Sequence, residues 1–257
     1  MSNPTPPKRR RGIFLLPNLF TTATLFAGFY AIVSAIGGDY QAGAIAIFVA
    51  GVMDGLDGRV ARMTNTQSDF GKEYDSMADV VSFGLAPALV VYLWSLSTMG
   101  QYGWYWAQIG WLASFVFAAG AALRLARFNT QVGIQDKRFF RGLPSPAAAA
   151  VIAGFVWICT DSSVAGDSVT IPALSLTLAA GGLMVSNLHY YSFKDIKLNE
   201  RVPFAYVLII VGGFILIALN PPAILFLGFF CYLLSGVLLG WRRHRRYRAR
   251  RSEHADD

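Results

Sequence analysis

Charged residues are scarce in this sequence of 257 residues. Asp, Glu, Lys and Arg together make up 14% of the chain, whereas hydrophobic residues make up 54%, and the mean hydropathy is +0.45. Soluble domains carry about 25% charged residues. The composition therefore excludes an ordinary soluble protein and predicts an integral membrane protein.

Cysteine is almost absent from the chain. Cys159 and Cys231 both lie in apolar runs, and they do not share the short spacing of zinc or redox motifs. This excludes a disulfide scaffold or a thiolate metal centre as the basis of the fold. We interpret both thiols as small apolar side chains that fill the protein interior.

The apolar residues are concentrated in eight runs, each long enough to cross a bilayer as a helix. The runs cover residues 13–36, 40–62, 78–97, 104–126, 143–160, 169–190, 203–219 and 221–241. The last separator, Asn220-Pro221-Pro222, could instead be a kink inside one long segment. The sequence therefore predicts an all-α, polytopic transmembrane bundle of about eight spans. Residues 1–12 are predicted to be a disordered basic N-terminus, and residues 242–257 a basic tail that follows the membrane domain at 13–241.

Lys and Arg are missing from every second connection between these runs. All 22 of them lie at 8–11, 59–72, 124–141, 194–201 and 242–251. With eight spans, these five places are the two termini and alternate loops, which all face the same side. Because basic residues accumulate on the cytoplasmic side, both termini are predicted to be cytoplasmic.

The excess of basic residues gives the chain a formal net charge of +7. The basic tail that begins after Trp241 could in principle bind nucleic acid. It directly follows a predicted transmembrane helix on the cytoplasmic side, where arginines bind anionic lipid headgroups. We therefore predict membrane lipids, and no nucleic acid, as its partner.

Four carboxylates interrupt this apolar background. Asp54 and Asp57 are three residues apart, and Asp75 and Asp79 are four apart, so each pair lies on one face of a helix. Ionised groups at membrane depth are costly unless they have partners or a polar cavity. Four converging acids would repel each other unless a divalent cation neutralised them, and carboxylate oxygens suit such cations. The alternatives are a web of Asp–Arg ion pairs or the ion pathway of a cation-coupled transporter.

The spacing of these carboxylates with two glycines, one alanine and one arginine resembles the signature of the CDP-alcohol phosphatidyltransferases. In this sequence the signature is Asp54-x2-Asp57-Gly58-x2-Ala61-Arg62-x8-Gly71-x3-Asp75-x3-Asp79. Members of this family displace CMP from a CDP-linked lipid or alcohol with an acceptor hydroxyl. The resemblance implies that this chain is an enzyme of that class.

The resemblance implies a metal-binding role for each of the four carboxylates. Asp54, Asp57 and Asp75 would bind Mg2+ or Mn2+, and Asp79 would be both a ligand and the base that deprotonates the acceptor. Displacement at a pyrophosphate needs metal ions to shield charge and stabilise the leaving group. An acceptor hydroxyl is a poor nucleophile, so a nearby base must take its proton.

Other residues are implied to bind the CDP-linked lipid. Gly58 and Arg62 would contact the nucleotide and its phosphates, because a glycine lets a ligand approach the backbone and a guanidinium fits phosphate oxygens. Ser68 would add a polar contact. Asn18 and Thr21 on the first span would help to cradle the cytidine, although polar packing between membrane helices is an alternative for them.

Further segments resemble the branch of the family that transfers to serine, the membrane-embedded bacterial phosphatidylserine synthases. These segments are residues 17–32, 82–92, 122–129, 141–149 and 186–197. This resemblance implies CDP-diacylglycerol and L-serine as substrates, a homodimer, and a bacterial inner-membrane location with the site facing the cytoplasm. Glycerol 3-phosphate, an inositol phosphate or choline remain alternative acceptors.

Three residues at the end of the fourth run are candidates for binding serine. Arg124 and Arg127 lie about one helical turn apart, and either could hold the serine carboxylate with two hydrogen bonds. Asn129 could contact the ammonium or hydroxyl group. Both arginines could equally be anchors on the cytoplasmic side, and anchoring is the favoured role for the basic residues at 137–141.

Overall fold

A computed structural model of the chain describes residues 15–64, 68–130, 139–191 and 204–253. These residues form a helical bundle, which confirms the predicted all-α membrane class. Its helices are α1 (Leu15–Ile36), α2 (Tyr40–Thr64), α3 (Asp69–Asp79), α4 (Ala86–Trp94), α5 (Trp104–Thr130), α6 (Ser145–Asp161), α7 (Thr170–Val185), α8 (Phe204–Leu219) and α9 (Pro221–Glu253). Short 3-10 helices at Leu96–Tyr102 and Gly166–Val169 precede α5 and α7.

Each predicted apolar run contains a helix, but not every helix is long and apolar enough to count as a span. Within the described ranges, five segments meet both conditions: Pro17–Ile36, Asp69–Tyr102, Trp104–Thr130, Gly166–Val185 and Pro221–Gly240. Helices α6 and α8 have only 17 and 16 residues. Helix α2 has 25 residues, but the Asp54 and Asp57 pair lowers its hydropathy. The number of eight spans therefore stays a prediction.

The predicted start of the third span was wrong. The third span was expected to begin at residue 78 after a polar loop, whereas α3 already begins at Asp69. The Ser68 side chain explains this start, because its Oγ accepts a hydrogen bond from the Gly71 backbone N–H at 3.0 Å and caps the helix. The apolar segment Pro221–Gly240 ends next to the start of the predicted basic tail, and α9 continues through this point to Glu253. The predicted disordered residues 1–12 lie outside the described part of the chain.

A small antiparallel sheet is the element that the sequence did not predict. Strand β1 (Phe139–Arg141) pairs with β2 (His189–Tyr191), and Phe140 lies opposite Tyr190. The sixth predicted run was expected to be helical to residue 190, but α7 ends at Val185. Gly142 makes the return to α6 possible, since it has a φ of +80° and packs directly on the Met184 backbone. The sheet thereby fixes the N-terminal end of α6 beside the end of α7.

Small residues let the helices approach each other closely. A Cβ on Gly43 of α2 would lie 3.0 Å from the Ala31 carbonyl oxygen of α1. A Cβ on Gly120 of α5 would lie 2.7 Å from the Gly181 carbonyl oxygen of α7. Membrane helices associate through such close contacts because lipid offers no hydrophobic driving force between them. The Gly43 contact holds the first half of α2 against α1.

A π-helical turn, Val80–Leu85, joins α3 to α4 directly after Asp79. The Ala86 backbone N–H bonds to the Val81 carbonyl, which is the widened spacing of a π-helix. Ser82 of this turn is fully buried, and its hydroxyl donates to the Thr24 carbonyl of α1 at 2.9 Å. Gly28 of α1 packs against Ser82 so closely that a side chain there would clash. Helix α1 therefore holds the wide turn in place, and this turn sets where Asp79 lies.

Candidate metal and substrate site

Three of the predicted carboxylates converge where α2 meets α3. One carboxylate oxygen from each of Asp54, Asp57 and Asp75 lies within 4.8 Å of the other two. Asp57 is buried, and Asp54 and Asp75 are half-buried. The spacing of three residues on α2 puts its two carboxylates on the same face, and the packing of α2 and α3 adds the third. The arrangement gathers three negative charges with little access to solvent.

Asp79 lies one helical turn beyond Asp75, at the end of α3. It interacts electrostatically with Asp54 and Asp75, and with the oppositely charged Arg124 of α5. Among the described residues, Oδ1 of Asp75 and Oδ1 of Asp79 are buried without a hydrogen-bond partner. A buried polar atom without a partner costs about 1–3 kcal/mol, and more if it is charged.

This donor set fits a divalent cation. All four candidates offer hard carboxylate oxygens, which Mg2+ and Mn2+ prefer. Two of these oxygens lack a protein partner, and the negative charges repel each other in a region of low polarity. A bound cation would remove both sources of instability. The residues present therefore suit the metal that the sequence predicted.

Helix α1 supports the carboxylate cluster. The Thr21 side chain is buried, and its Oγ1 lies 3.0 Å from Asp57 Oδ2 and 3.2 Å from the Pro17 carbonyl oxygen. Its neighbour Thr22 shares a hydrogen bond of 3.0 Å with the Tyr74 hydroxyl of α3. This geometry agrees with polar packing between helices, the alternative for Thr21, and lets Thr21 orient Asp57; its contact with the cytidine stays a prediction. Asn18 lies near the start of α3, where its Oδ1 would be 3.3 Å from a Cβ on Gly71.

The residues predicted to bind the nucleotide lie on the exposed end of α2 and at the start of α3. No described atom lies within 4 Å of a Cβ position on Gly58, so there is open space beside this backbone. Arg62 is exposed, and its Nε donates to the Gly58 carbonyl at 2.8 Å. Ser68 uses its Oγ to cap α3. Gly58 and Arg62 therefore border one open surface next to Asp57.

Arg124 is mostly buried in the bundle. Its Nη1 donates to the Ser145 hydroxyl at 2.7 Å, and Ser145 is buried at the start of α6. Its Nε is buried and has no hydrogen-bond partner among the described residues. Asp79 lies on one side of Arg124. Arg124 is therefore a cation next to the acidic cluster, and its Nε is available to donate a hydrogen bond.

The two other candidates for serine binding have partners elsewhere. Arg127 donates to the Asn187 side chain at 2.5 Å and to the Val185 carbonyl at 3.4 Å, which ties α5 to the end of α7. Asn129 donates to the Ser76 hydroxyl at 2.9 Å. Asn129 and Ser76 both line a separate cavity of about 340 Å³ between α3 and α5. Of the three candidates, Arg124 is the one that the structure places beside Asp79.

Comparison with known proteins places this site in a family. The model of the CDP-alcohol phosphatidyltransferase family matches residues 14–188, which is well over half of the chain. The chain belongs to this family. The match includes all four carboxylates, together with Gly58, Arg62 and Arg124.

Named relatives of this phosphatidyltransferase share a serine-related activity. A Helicobacter pylori protein named CDP-diacylglycerol–serine O-phosphatidyltransferase is 36% identical over 226 residues, 88% of this chain and 91% of the relative. A Mycobacterium leprae protein of the same name is 39% identical over 157 residues, 58% of this chain and 50% of the relative. The archaetidylserine synthase of Methanothermobacter thermautotrophicus is 32% identical over 185 residues, 71% of this chain and 72% of the relative.

Two contacts in this transferase, one of Arg124 and one of α9, were not predicted from its sequence. Ser145 belongs to the segment 141–149, which carries the family resemblance, but nothing in the local pattern links it to Arg124. Tyr232 of α9 packs on Tyr190 of β2, with ring centroids 5.5 Å apart. It lies in an apolar helix without any motif, so no sequence signal identified it.

Proposed function

We propose that this transferase moves the phosphatidyl group of CDP-diacylglycerol to the hydroxyl of L-serine, which gives phosphatidylserine and CMP. One observation carries the proposal. The buried side-chain atoms without hydrogen-bond partners in the described residues are Asp75 Oδ1, Asp79 Oδ1 and Arg124 Nε. They form one site that offers acceptors for a cation and a donor for an anion. The names of the relatives support serine as the acceptor.

The four carboxylates would hold Mg2+ or Mn2+ in this proposal. Such a metal shields the charge of a pyrophosphate and stabilises the oxygen of the leaving CMP. Thr21 orients the Asp57 carboxylate through the hydrogen bond at 3.0 Å. The open surface beside Gly58 leaves room for the nucleotide, and Arg62 at its edge is placed to bind phosphate oxygens.

Asp79 would act as the base toward the acceptor. It takes the proton of the serine hydroxyl as the serine oxygen forms a bond to the lipid-bearing phosphorus. The bond from this phosphorus to the CMP oxygen breaks, and CMP leaves with the electron pair. Arg124 would hold the serine carboxylate through its free Nε donor, which places the hydroxyl end of the small substrate near Asp79. The presence of Arg124 at this place would explain why the acceptor carries a carboxylate.

Acceptor selection is the direct test of this proposal. Purified protein with CDP-diacylglycerol and Mg2+ or Mn2+ is expected to release CMP rapidly with L-serine. Serinamide and ethanolamine should be poor acceptors, because they lack the carboxylate and leave a buried arginine unpaired. Arg124→Lys should raise the KM for serine about tenfold, since a point charge replaces a planar fork. CMP release with each acceptor is the measurement.

Arg62→Lys is the matched control for the acceptor test. It should raise the KM for CDP-diacylglycerol and leave the KM for serine nearly unchanged, the reverse of Arg124→Lys. Normal serine kinetics in Arg124→Lys would mean that another residue binds the carboxylate. A wild-type preference for glycerol 3-phosphate, an inositol phosphate or choline would move the protein to another branch of the family.

The eight-span topology, with the site facing the cytoplasm of a bacterial inner membrane, is also part of the proposal. In a background with Cys159 and Cys231 replaced by alanine, cysteines at Gln41, Gln101 and Ser162 should react with an impermeant thiol reagent added outside. Cysteines at Met63, Thr130 and Ser252 should react only after the membrane is opened. The side of the membrane expected for each position follows from the distribution of Lys and Arg, because basic residues accumulate on the cytoplasmic side.

Labelling of Ser252→Cys from outside would contradict the even number of spans and the cytoplasmic C-terminus. Labelling of Met63→Cys from outside would place the acidic site on the outer side of the membrane and contradict a site that faces the cytoplasm. The homodimer remains part of the proposal on the basis of the family resemblance, and cross-linking in native membranes would test it.

A further inference from the structure

The π-helical turn that follows Asp79 lies between α1 and α5. It contacts α1 through the buried Ser82 hydroxyl, which donates to the Thr24 carbonyl at 2.9 Å. It contacts α5 through Gly84, where a Cβ would lie 3.2 Å from the Ala121 Cβ. The segment that follows Asp79 is therefore held by two neighbouring helices.

Gly28 of α1 makes the hydrogen bond of Ser82 possible. In an α-helix each N–H bonds to the carbonyl four residues earlier, so Gly28 lies beside the Thr24 carbonyl. A Cβ on Gly28 would lie 2.7 Å from the Ser82 Cα and even closer to its hydroxyl oxygen. Because Gly28 has no side chain, the Thr24 carbonyl stays accessible, and Ser82 occupies the space beside it.

Contacts with α5 define the level of Asp79 in the bundle. Two such contacts are known from the geometry: Ser76 with Asn129, and Gly84 with Ala121. Since the later residue of one segment meets the earlier residue of the other, the two segments run antiparallel. Asp79 lies between the two contacts on its own segment, and Arg124 lies between them on α5. The carboxylate and the guanidinium therefore lie at a similar depth in the bundle.

We propose that Ser82 is a positioning residue, which holds the π-helical turn on α1 and thereby keeps the Asp79 carboxylate at the level of Arg124. This inference rests on the proposed function, in which Asp79 takes the proton of the acceptor hydroxyl. A π-helical turn contains more residues than an α-helical turn, so it changes the direction in which the preceding residues face. Without its attachment to α1, the turn could take α-helical spacing, and Asp79 would face another direction.

Asp75 has an attachment to α1 that does not involve this turn. Its neighbour Tyr74 shares a hydrogen bond of 3.0 Å with the Thr22 hydroxyl. A change at Ser82 should therefore move Asp79 more than it moves Asp75. This difference predicts a loss of catalytic rate without a comparable loss of metal binding.

Ser82→Ala tests the inference by steady-state kinetics and by metal binding. The kcat for CMP release with L-serine is expected to fall about 10-fold to 100-fold, because a misplacement of about 1 Å can cost about 100-fold in rate. Binding of Mn2+ to the purified protein with CMP present, measured by electron paramagnetic resonance, should stay close to the wild-type value. Gly28→Ala should give the same pattern, since its Cβ would push the turn away from α1.

A double-mutant cycle with Asp79→Asn separates positioning from a general structural effect. In the Asp79→Asn background, Ser82→Ala should have little further effect on kcat, because the carboxylate that Ser82 positions is already absent. Fully additive effects on kcat would overturn the inference. Loss of Mn2+ binding together with kcat in Ser82→Ala would also overturn it, because that result indicates damage to the whole carboxylate cluster.

Ser114→Ala and Gly182→Ala are the matched controls. Ser114 is also buried, but its hydroxyl donates to the Gly110 carbonyl of its own helix at 3.3 Å. A Cβ on Gly182 would have no other described part of the chain within 4 Å. Both controls should keep the wild-type kcat. If Asp79→Asn lowers kcat as expected but both test variants keep it, the inference fails alone. If Asp79→Asn keeps its kcat, the proposed role of Asp79 fails with it.

Discussion

Asp57→Asn is expected to lower the rate of CMP release at least about 100-fold, because the substitution removes one charge from an electrostatic site for the transition state. Asp54→Asn and Asp75→Asn should have effects of the same order, since one oxygen from each residue lies within 4.8 Å of the other two. The apparent affinity for Mg2+ or Mn2+ should fall as well. CMP release over a range of metal concentrations measures both effects.

Asp69→Asn is the matched control for these variants. Asp69 is exposed in the first turn of α3 and lies outside the cluster of three carboxylates. It should keep nearly normal activity and metal affinity. If Asp54→Asn, Asp57→Asn or Asp75→Asn kept more than about a tenth of the wild-type rate at saturating metal, its assignment as a ligand would be wrong, because loss of a ligand should cost more than that.

Asp79→Asn is expected to have the second large effect, a fall in kcat of about 100-fold to 10,000-fold, which is the range for loss of a general base. The three other carboxylates remain in this variant, so metal-dependent binding of CDP-diacylglycerol should be largely retained. This separates Asp79 from Asp57, whose loss should weaken both binding and catalysis. Single-turnover kinetics together with direct titration of the lipid substrate would measure the two effects separately.

Glu73→Gln controls for the removal of a negative charge from α3. Glu73 lines the separate cavity between α3 and α5, so its loss should leave kcat close to the wild-type value. If Asp79→Asn abolishes substrate binding as completely as Asp57→Asn, Asp79 acts only as a metal ligand and the base is another group. If Asp79→Asn retains most of its kcat, neither role is correct.

The sequence by itself determined the features that depend on neighbouring residues. Hydropathy located a helix in each of the eight apolar runs, because a bilayer requires long apolar segments. The i,i+3 spacing of Asp54 and Asp57 put both on one face of α2, since this periodicity is a property of any helix. The family signature also identified the enzyme class, because it fixes the types of residue and their spacing. These are local properties, and the structure agrees with them.

Local boundaries were less predictable where a single contact decided them. The polar composition of residues 64–74 suggested a loop, but the Ser68 cap begins α3 within it. The aromatic residues at 189–191 looked like the end of a span, but they pair with β1. The π-helical turn after Asp79 depends on the hydrogen bond from Ser82 to the Thr24 carbonyl of α1. In each case the local pattern permits two structures, and a specific contact favours one of them.

Only the tertiary structure decided which residues surround the acidic cluster. In the sequence, Arg124 and Arg127 are equally good candidates for binding the serine carboxylate. In the structure, Arg124 lies beside Asp79, and Arg127 binds Asn187 at the end of α7. The physical reason is that helix periodicity assigns a side chain to a face, whereas the partner of that face depends on how distant helices pack. Ser145 reaches Arg124 because the β1–β2 sheet and the hydrogen bond from Leu143 to Leu183 hold the start of α6 beside the end of α7, and this cannot be deduced from residues near Arg124 in the chain.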